Sequence, residues 1–220
     1  MLEAIRKPVF YKNDAENCPL NEVFAITDYN GLATMKQFGP WKITSSREVY
    51  RDPWIAVVRD EVVRPDGDPG SYCVIHIKPG VSVLAMDDDR RVYLTEEFHY
   101  AVGSETIELV SGGIDTAEDS LAAAKRELRE ELGIEAAEWI DLGRVDPFTA
   151  NVFSPTQLYL AQQLTFGTTA QEGTELIRCR SFPLQEVVHM VIEGRITHAP
   201  SCVAILKTSM RFGIQLASDA

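Results

Sequence analysis

Three glutamates lie at spacings that a helix would bring onto one face. Glu127, Glu130 and Glu131 stand at i, i+3 and i+4, so in a helix their carboxylates share about one turn of its surface. Like charges at these spacings destabilise an isolated helix by roughly 0.2–0.5 kcal/mol per pair. Hard divalent ions such as Mg²⁺ bind the oxygens of a few carboxylates and of phosphate groups. The pattern is therefore one that a metal-assisted reaction on a phosphate compound would use.

The same segment has a simpler interpretation. Lys125, Arg126 and Arg129 could neutralise the glutamates, which would make the segment an ordinary exposed, charged helix. For three glutamates taken alone, this is the better interpretation. The choice between the two depends on the residues around them.

A loop, a helix and a second loop are predicted to position these carboxylates. Asp115 followed by Glu118 is typical of a helix N-cap, so the helix is predicted to begin near Thr116. No Pro or Gly interrupts it up to Leu132, and Gly133 is predicted to end it.

The spacing of the whole segment is specific. It reads Gly, five residues, Glu, seven residues, Arg-Glu, an aliphatic residue, any residue, Glu-Glu, any residue, Gly and an aliphatic residue. This segment resembles the Nudix box, and all nine specified positions match: Gly112, Glu118, Arg126, Glu127, Leu128, Glu130, Glu131, Gly133 and Ile134. The resemblance implies the α+β Nudix fold, an α/β/α sandwich with a mixed β-sheet and an N-terminal β-subdomain.

Flanking segments extend the resemblance to the ADP-ribose pyrophosphatase branch. Residues 49–55 and 63–67 look like the N-terminal β-subdomain of that branch, and residues 107–113 are similar to its Glu-Leu-Pro-Ala-Gly entry to the box. The similarity covers roughly Trp41 to Arg211. It implies a metal-dependent enzyme that hydrolyses the pyrophosphate of ADP-ribose or a similar nucleotide sugar to a nucleoside monophosphate and a sugar phosphate.

The resemblance also implies roles for individual residues. The implied ligands of Mg²⁺, or of Mn²⁺, are Glu127, Glu130, Glu131 and the backbone carbonyl of Ser111. The implied catalytic residues are Glu130, Glu131 and Arg126, with Glu130 either a third ligand or a base for water. The implied substrate contacts are Arg51, His99 and Glu108. The residues that shape the motif are Gly112, Glu118 and Gly133, and Arg126 would brace helix and loop together with Glu118.

Two positions depart from the branch. His99 stands where an Arg commonly contacts the phosphates, and a neutral imidazole is a weaker phosphate contact than a guanidinium. Ser154 stands where many relatives carry a general-base Glu, and serine cannot act as that base unaided. The remaining candidates for the base are Glu130, Asp146, Glu172 and Glu175.

Three functions remain open from the sequence. The first is the hydrolase, which the complete acidic cluster favours. The second is a Nudix-fold sensor that binds a nucleotide sugar without turning it over, which His99 and Ser154 favour. The third is an isomerase on the same fold, which the similarity to the nucleotide-sugar branch disfavours.

Composition limits the partners. The 220 residues carry a formal charge of −12, which argues against nucleic acid or an anionic membrane as the main partner. No apolar segment approaches the ~20 residues of a membrane span, and the N-terminus lacks the apolar core of a signal peptide. We therefore expect a cytoplasmic protein with a small-molecule nucleotide substrate. The branch resemblance further implies a homodimer.

The remaining segments predict the order of the elements. Residues 1–40 are predicted to be an N-terminal extension, 41–80 the β-subdomain and 81–220 the Nudix domain. Strands are predicted at 42–50, 55–63, 72–78, 81–86, 91–97, 104–110, 139–145 and 157–164, and helices at 184–193 and 201–211. Asp87, Asp88 and Asp89 are predicted to form a tight turn rather than a calcium site. His189 is predicted to be packed or partly exposed, and His198 to be a loop or cap residue.

Overall fold

The computed structural model describes residues 35–171 and 176–214. Most of the predicted N-terminal extension, residues 1–34, and the candidate bases Glu172 and Glu175 lie outside the described residues. The chain divides into two compact units, and the division falls between His76 and Ile77. The domain boundaries predicted from the sequence stay predictions.

The first unit is built from strands in the order β1-β2-β3-β4. Their bounds are β1 Lys36–Phe38, β2 Trp41–Arg51, β3 Ile55–Val63 and β4 Pro69–Ile77. β2 pairs antiparallel with β1 and with β3. Ala56, Val58 and Val62 on β3 are buried. The predicted strands at 42–50, 55–63 and 72–78 are confirmed, the last with an earlier start.

Residues 36–38 lie inside the predicted N-terminal extension. These residues form β1, because Gly39 adopts a φ of 56° and turns the chain back on itself. Phe38 then pairs with Trp41 across the turn. Glycine is the residue that adopts this left-handed conformation most readily.

The second unit contains a mixed sheet in the order β12-β6-β5-β11-β9, with β7 paired to β6 and β8 paired to β5. Its strands are β5 Gly80–Met86, β6 Arg91–His99, β7 Ser104–Glu108, β8 Val110–Gly113, β9 Ile134–Val145, β11 Thr156–Phe166 and β12 Arg178–Pro183. The short strand β10 Val152–Phe153 is not part of this sheet. β5 runs parallel to β11, whereas its pairs with β6 and β8 are antiparallel. The predicted mixed sheet is confirmed.

Three helices in the described residues cover the two faces of this sheet. They are α1 Ser120–Leu132, α2 Leu184–Ile192 and α3 Ala199–Arg211. Val83 of β5 packs in one core with Leu128 of α1, whereas Leu84 packs in a second core with Val187 of α2 and Ile205 of α3. Successive strand residues point to opposite faces, so one strand contributes to both cores. The predicted α/β/α sandwich is confirmed, and no helix in the described part of the chain is long and apolar enough to cross a membrane.

The predicted strand at 104–110 is two strands. β7 pairs with β6 and β8 pairs with β5, so the chain changes partner at Leu109. Leu109 is buried in the core that holds α2 and α3, and its N–H donates to Ser201 Oγ at 3.0 Å. This side-chain acceptor replaces a strand partner at the point where the chain crosses from one neighbour to the other.

The Asp87 turn and the two histidines are as predicted. Asp87 Oδ1 accepts from Arg91 N at 2.8 Å, and Asp87 O accepts from Arg90 N at 3.0 Å, which closes a tight turn between β5 and β6. His189 is partly exposed on α2, and His198 is the N-cap residue of α3.

Candidate active site

Helix α1 begins four residues later than the sequence predicted. Asp119, not Asp115, is the N-cap, and its Oδ1 accepts from Ala122 N at 2.8 Å. Asp115 and Glu118 instead close a turn, in which Glu118 N donates to Asp115 O at 3.0 Å. Ala117 lies in this turn with a φ of 66°, which is incompatible with a right-handed helix. Gly133 ends the helix as predicted, with a φ of 64°.

The guanidinium of Arg126 gathers three carboxylates of the box. It binds Glu118 through two bonds of 3.1 Å, and its Nη1 donates to Glu127 Oε1 at 2.8 Å and to Glu130 Oε2 at 3.1 Å. Nη2 also donates to Gly113 O at 2.9 Å. A guanidinium has five N–H groups, so every donor of Arg126 has an acceptor. These carboxylates hold the pKa of Arg126 above its usual range, so the group is a fixed cation.

Glu118 ties the loop before the helix to this network. Besides its two bonds to Arg126, its Oε2 accepts from Asp115 N at 3.0 Å. The hydrogen bond from Arg126 is the main reason that the pKa of Glu118 lies below its usual range. The predicted pairing of Glu118 and Arg126 as a brace of helix and loop therefore has a direct geometric basis.

Glu127 lies against the backbone of the first box glycine. A Cβ on Gly112 would stand 2.0 Å from Glu127 Oε1, far inside any allowed contact. Any side chain at position 112 must therefore displace this carboxylate. Glu131, on the same helix face, is buried with 8% of its surface exposed.

Replacing Gly112 by Ala should damage the site more than the fold. The nearest obstacle to the new methyl group is the flexible end of Glu127, which can move, so we expect the melting temperature to change by only a few degrees, about 1 kcal/mol of stability. We expect turnover to fall on the order of 10- to 100-fold, because a displaced ligand costs about 1–3 kcal/mol in a metal site. Thermal melts and metal titrations of Gly112→Ala test this. A variant that melts far below the parent, or that keeps full turnover, would contradict it.

The donor set fits a hard divalent ion. Glu127 and Glu130 direct oxygens to the same nitrogen of Arg126, so these oxygens already converge on one positive centre. Carboxylate oxygens, without thiolates or imidazoles among them, match the preferences of Mg²⁺ and Mn²⁺. Among the residues that the structure describes, no three Asp, Glu, His or Cys side chains enclose a common point. The cation around which the box carboxylates gather is Arg126.

Ser111 immediately precedes the box glycine in β8. Its Oγ lies 3.0 Å from Ser82 Oγ on β5 and 2.9 Å from Leu109 O. The hydroxyl is thus engaged within the sheet, and its predicted role as a ligand concerns the backbone carbonyl alone.

A second polar cluster joins the ends of β6 and β7 to the start of α3. Thr106 Oγ1 donates to Glu108 Oε1 at 2.8 Å and lies 2.8 Å from His99 Nδ1. The hydroxyl has one hydrogen, which Glu108 accepts, so Nδ1–H of His99 must donate to Thr106. In its neutral form His99 therefore carries its lone pair on Nε2.

His198 approaches the same carboxylate from the other side. Its Nδ1 lies 3.3 Å from Glu108 Oε2 and 2.8 Å from Ser201 Oγ. Burial is the main cause that lowers the pKa of His198, and the charge of Glu108 opposes it. The sequence did not predict this contact, because His198 and Glu108 are 90 positions apart.

Three more of the predicted residues make local contacts. Arg51 belongs to the first unit, where its Nε donates to Glu48 Oε2 at 2.8 Å. Asp146 accepts from Arg144 Nη2 at 2.9 Å on the surface. Ser154 precedes β11, and its carbonyl lies 3.4 Å from Thr156 Oγ1.

Comparison with known proteins decides the family. Residues 76–201, more than half of the chain, match the family model described as the NUDIX domain. The chain belongs to the Nudix family. Residues 41–75 of this Nudix protein match the model of the nucleoside diphosphate sugar hydrolase N-terminal domain. The family generally uses divalent metal ions, and an acidic helix such as α1 is consistent with this requirement.

Individual relatives agree with this assignment. The Nudix protein is 30% identical to an ADP-ribose pyrophosphatase of Mycobacterium tuberculosis over 74% of this chain and 80% of the relative. It is 25% identical to a CMP-5'-(N-acetyl-N-hydroxy-3-aminopropyl)phosphonate hydrolase of Streptomyces rubellomurinus, over 76% of this chain and 81% of the relative. The crystal structure of an ADP compounds hydrolase has the same fold, with a TM-score of 0.71 and 21% identity over 81% of this chain and 97% of that one.

Proposed function

We propose that the protein hydrolyses the pyrophosphate of ADP-ribose or a similar nucleotide sugar. Water attacks one phosphorus, the bond from that phosphorus to the bridging oxygen breaks, and the products are a nucleoside monophosphate and a sugar phosphate. The observation that carries the proposal is the set of box carboxylates around Arg126, on helix α1 and the loop before it. The identity to the ADP-ribose pyrophosphatase of M. tuberculosis supports the substrate class.

Glu127, Glu131 and the carbonyl of Ser111 would hold Mg²⁺ or Mn²⁺. The bound ion would neutralise charge on the pyrophosphate, which carries about two negative charges, and so favour attack on phosphorus. Gly112 supports this assignment, because the missing side chain leaves the space that the Glu127 carboxylate occupies. Glu131 stands four residues after Glu127, so the two carboxylates lie one turn apart on the same face of α1.

Glu130 is our candidate for accepting the proton of the attacking water. Its side chain is 33% exposed, against 14% for Glu127 and 17% for Glu118, so water reaches it most easily among the three carboxylates that hydrogen-bond to Arg126. Arg126 donates a hydrogen bond to one oxygen of Glu130 and thereby orients the carboxylate. Arg51, His99 and Glu108 remain the proposed substrate contacts.

A substrate panel tests the proposal. ADP-ribose, other nucleotide sugars, NADH and dinucleoside polyphosphates are incubated with Mg²⁺ or Mn²⁺, and a phosphatase then releases phosphate from the monoester products. We expect metal-dependent turnover of at least one nucleotide sugar. Binding without turnover, detected as a ligand-induced rise in melting temperature, would favour the sensor and point to Ser154 as the reason for the missing turnover. Absence of both turnover and a rise in melting temperature would reject the substrate class.

A homodimer in the cytoplasm completes the proposal. Trp54 and Phe38 of the first unit are 73% and 65% exposed, which is apolar surface that a partner subunit would cover. Analytical ultracentrifugation should give a mass near twice the 24.5 kDa of the chain. A monomer at micromolar concentration would contradict the dimer without affecting the proposed reaction.

A further inference from the structure

Lys78 is held beside the box loop by the sheet. It stands two residues before β5, whose register with β8 places Gly80 opposite Gly113. Ile114 N donates to Pro79 O at 2.8 Å, which continues this pairing past the end of the strand. The position of Lys78 relative to the box is therefore set by the backbone hydrogen bonds of the residues that follow it.

The side chain of Lys78 lies across Gly113. A Cβ on Gly113 would stand 3.0 Å from Cδ of Lys78 and 3.6 Å from its Nζ. Gly113 is not one of the specified box positions, so the motif itself does not require a glycine there. The close approach of the lysine stem supplies the reason for it.

The ammonium of Lys78 has an exchangeable partner. It forms an ion pair with Asp115, and the side chains of the two residues are 39% and 60% exposed. Exposed ion pairs contribute little to stability, so a more highly charged anion can replace Asp115 at small cost. Arg126 differs in this respect, because each of its donors is already engaged inside the network.

A cation that can bind the substrate's phosphates would offset the negative charge of the site. The box carboxylates and a pyrophosphate are both negative, and the chain as a whole carries a charge of −12. Where the branch has a phosphate-binding Arg, this chain has His99, whose Nδ1–H is directed to Thr106. The Nδ1 side of the His99 ring is therefore engaged with Thr106.

We propose that Lys78 binds a phosphate of the substrate's pyrophosphate, and that its ammonium leaves Asp115 for a phosphate oxygen when substrate enters. The inference rests on the proposed function and adds to it a substrate-binding residue outside the box. A lysine suits this task because its ammonium is a compact point charge on a flexible stem. The competing explanation is that Lys78 serves only to fix the box loop through Asp115.

Removing either partner of the ion pair separates the two explanations. Lys78→Met and Asp115→Asn both break the pair, but only the first removes the ammonium. We expect Lys78→Met to raise KM for ADP-ribose about tenfold or more, because one charged hydrogen bond to phosphate is lost, with a much smaller change in kcat. We expect Asp115→Asn to leave KM unchanged or lower it. Equal increases in both variants would overturn the inference and leave Lys78 as a loop clamp.

Two further measurements strengthen the comparison. Lys78→Arg should have a KM close to that of the parent, because the positive charge is kept at position 78. The dependence of KM on salt concentration should be weaker in Lys78→Met than in the parent. Melting temperatures of both pair variants check the fold. Similar melting temperatures with different KM values would rule out a merely structural effect.

A binding assay separates this inference from the proposed function. The probe is an analogue of ADP-ribose with CH₂ in place of the bridging oxygen, titrated calorimetrically into parent and Lys78→Met. If the parent binds the analogue but hydrolyses no substrate, the hydrolase proposal fails, and a weaker Kd in the variant still supports Lys78. An unchanged Kd in an active enzyme refutes Lys78 alone. Absence of binding in the parent refutes both.

Discussion

Glu131→Gln should abolish metal-dependent turnover and leave the protein folded. The substitution keeps the size and shape of a side chain that is 8% exposed, so we expect the melting temperature to stay within a few degrees of the parent, about 1 kcal/mol. It removes one charge from the predicted metal site, where charge stabilisation contributes several kcal/mol to the transition state. A loss on the order of a thousandfold or more in kcat/KM follows from about 4 kcal/mol.

Glu135→Gln is the matched control for this experiment. Glu135 follows the helix by three residues and is exposed, so the same chemical change there should leave turnover as it is. Turnover is measured against Mg²⁺ concentration, and direct Mg²⁺ binding is measured by calorimetry. Undiminished turnover in Glu131→Gln would refute the assignment of Glu131 as a metal ligand. An equal loss in both variants would point to a general effect of charge.

The helix that carries the acids could be predicted because its signal is local. The glutamate spacing, the uninterrupted run to Leu132 and the glycine after it all depend on residues within one helix length. Its start could not be fixed in the same way. Asp115 with Glu118 matches the pattern of a cap, but Asp119 is the N-cap, and the left-handed φ of Ala117 keeps the residues between them out of the helix. Nothing in a single sequence marks an alanine for that conformation.

Strand β12 shows a second limit. Residues 178–183 alternate arginines with other side chains and carry few of the apolar residues that mark a buried strand. The strand lies at the end of the sheet, where Arg178 and Arg180 both bind Glu96 of β6. Its stability thus comes from cross-strand pairs with a segment more than 80 residues away, which local patterns cannot supply.

Lys78 and His198 show why parts of the site were missed. Lys78 meets the box through the register of β5 against β8, and His198 meets Glu108 through the packing of α3. Neither register nor helix packing follows from the spacing of residues along the chain. The sequence could have offered one signal, the unexplained glycine at position 113 directly after the first box glycine.

Arg126→Met should weaken both the fold and the reaction. The guanidinium, 26% exposed, binds three carboxylates and a backbone carbonyl, and its loss leaves Glu118 and Glu127 partly buried beside each other without it. We expect a loss of about 2–3 kcal/mol at pH 7, which is smaller than for a fully buried pair. For a chain of this size that corresponds to a fall of roughly 5–10 °C in melting temperature.

The loss of stability should depend on pH in a defined direction. Arg126 holds the pKa of Glu118 below its usual range, so the pair stabilises the fold above the ordinary glutamate pKa of about 4.3. This stabilisation is lost as the pH falls through the lower pKa of the folded state. The difference in stability between parent and variant should therefore be largest near neutral pH and shrink below about pH 4.3. Urea denaturation at several pH values measures it.

Arg129→Met is the matched control, and activity gives a second readout. Arg129 is an exposed arginine on the same helix, so its replacement removes the same charge without touching the carboxylate network. Turnover of Arg126→Met should fall on the order of 10- to 100-fold, with a higher Mg²⁺ requirement, because Glu127 and Glu130 lose the group that orients them. A pH-independent loss of stability would contradict the stabilising pair with Glu118, and equal effects in the two variants would show that the guanidinium acts only through its net charge. Since two of its five hydrogen bonds go to Glu118 and one to the carbonyl of Gly113 at the end of β8, we expect the specific contacts to dominate.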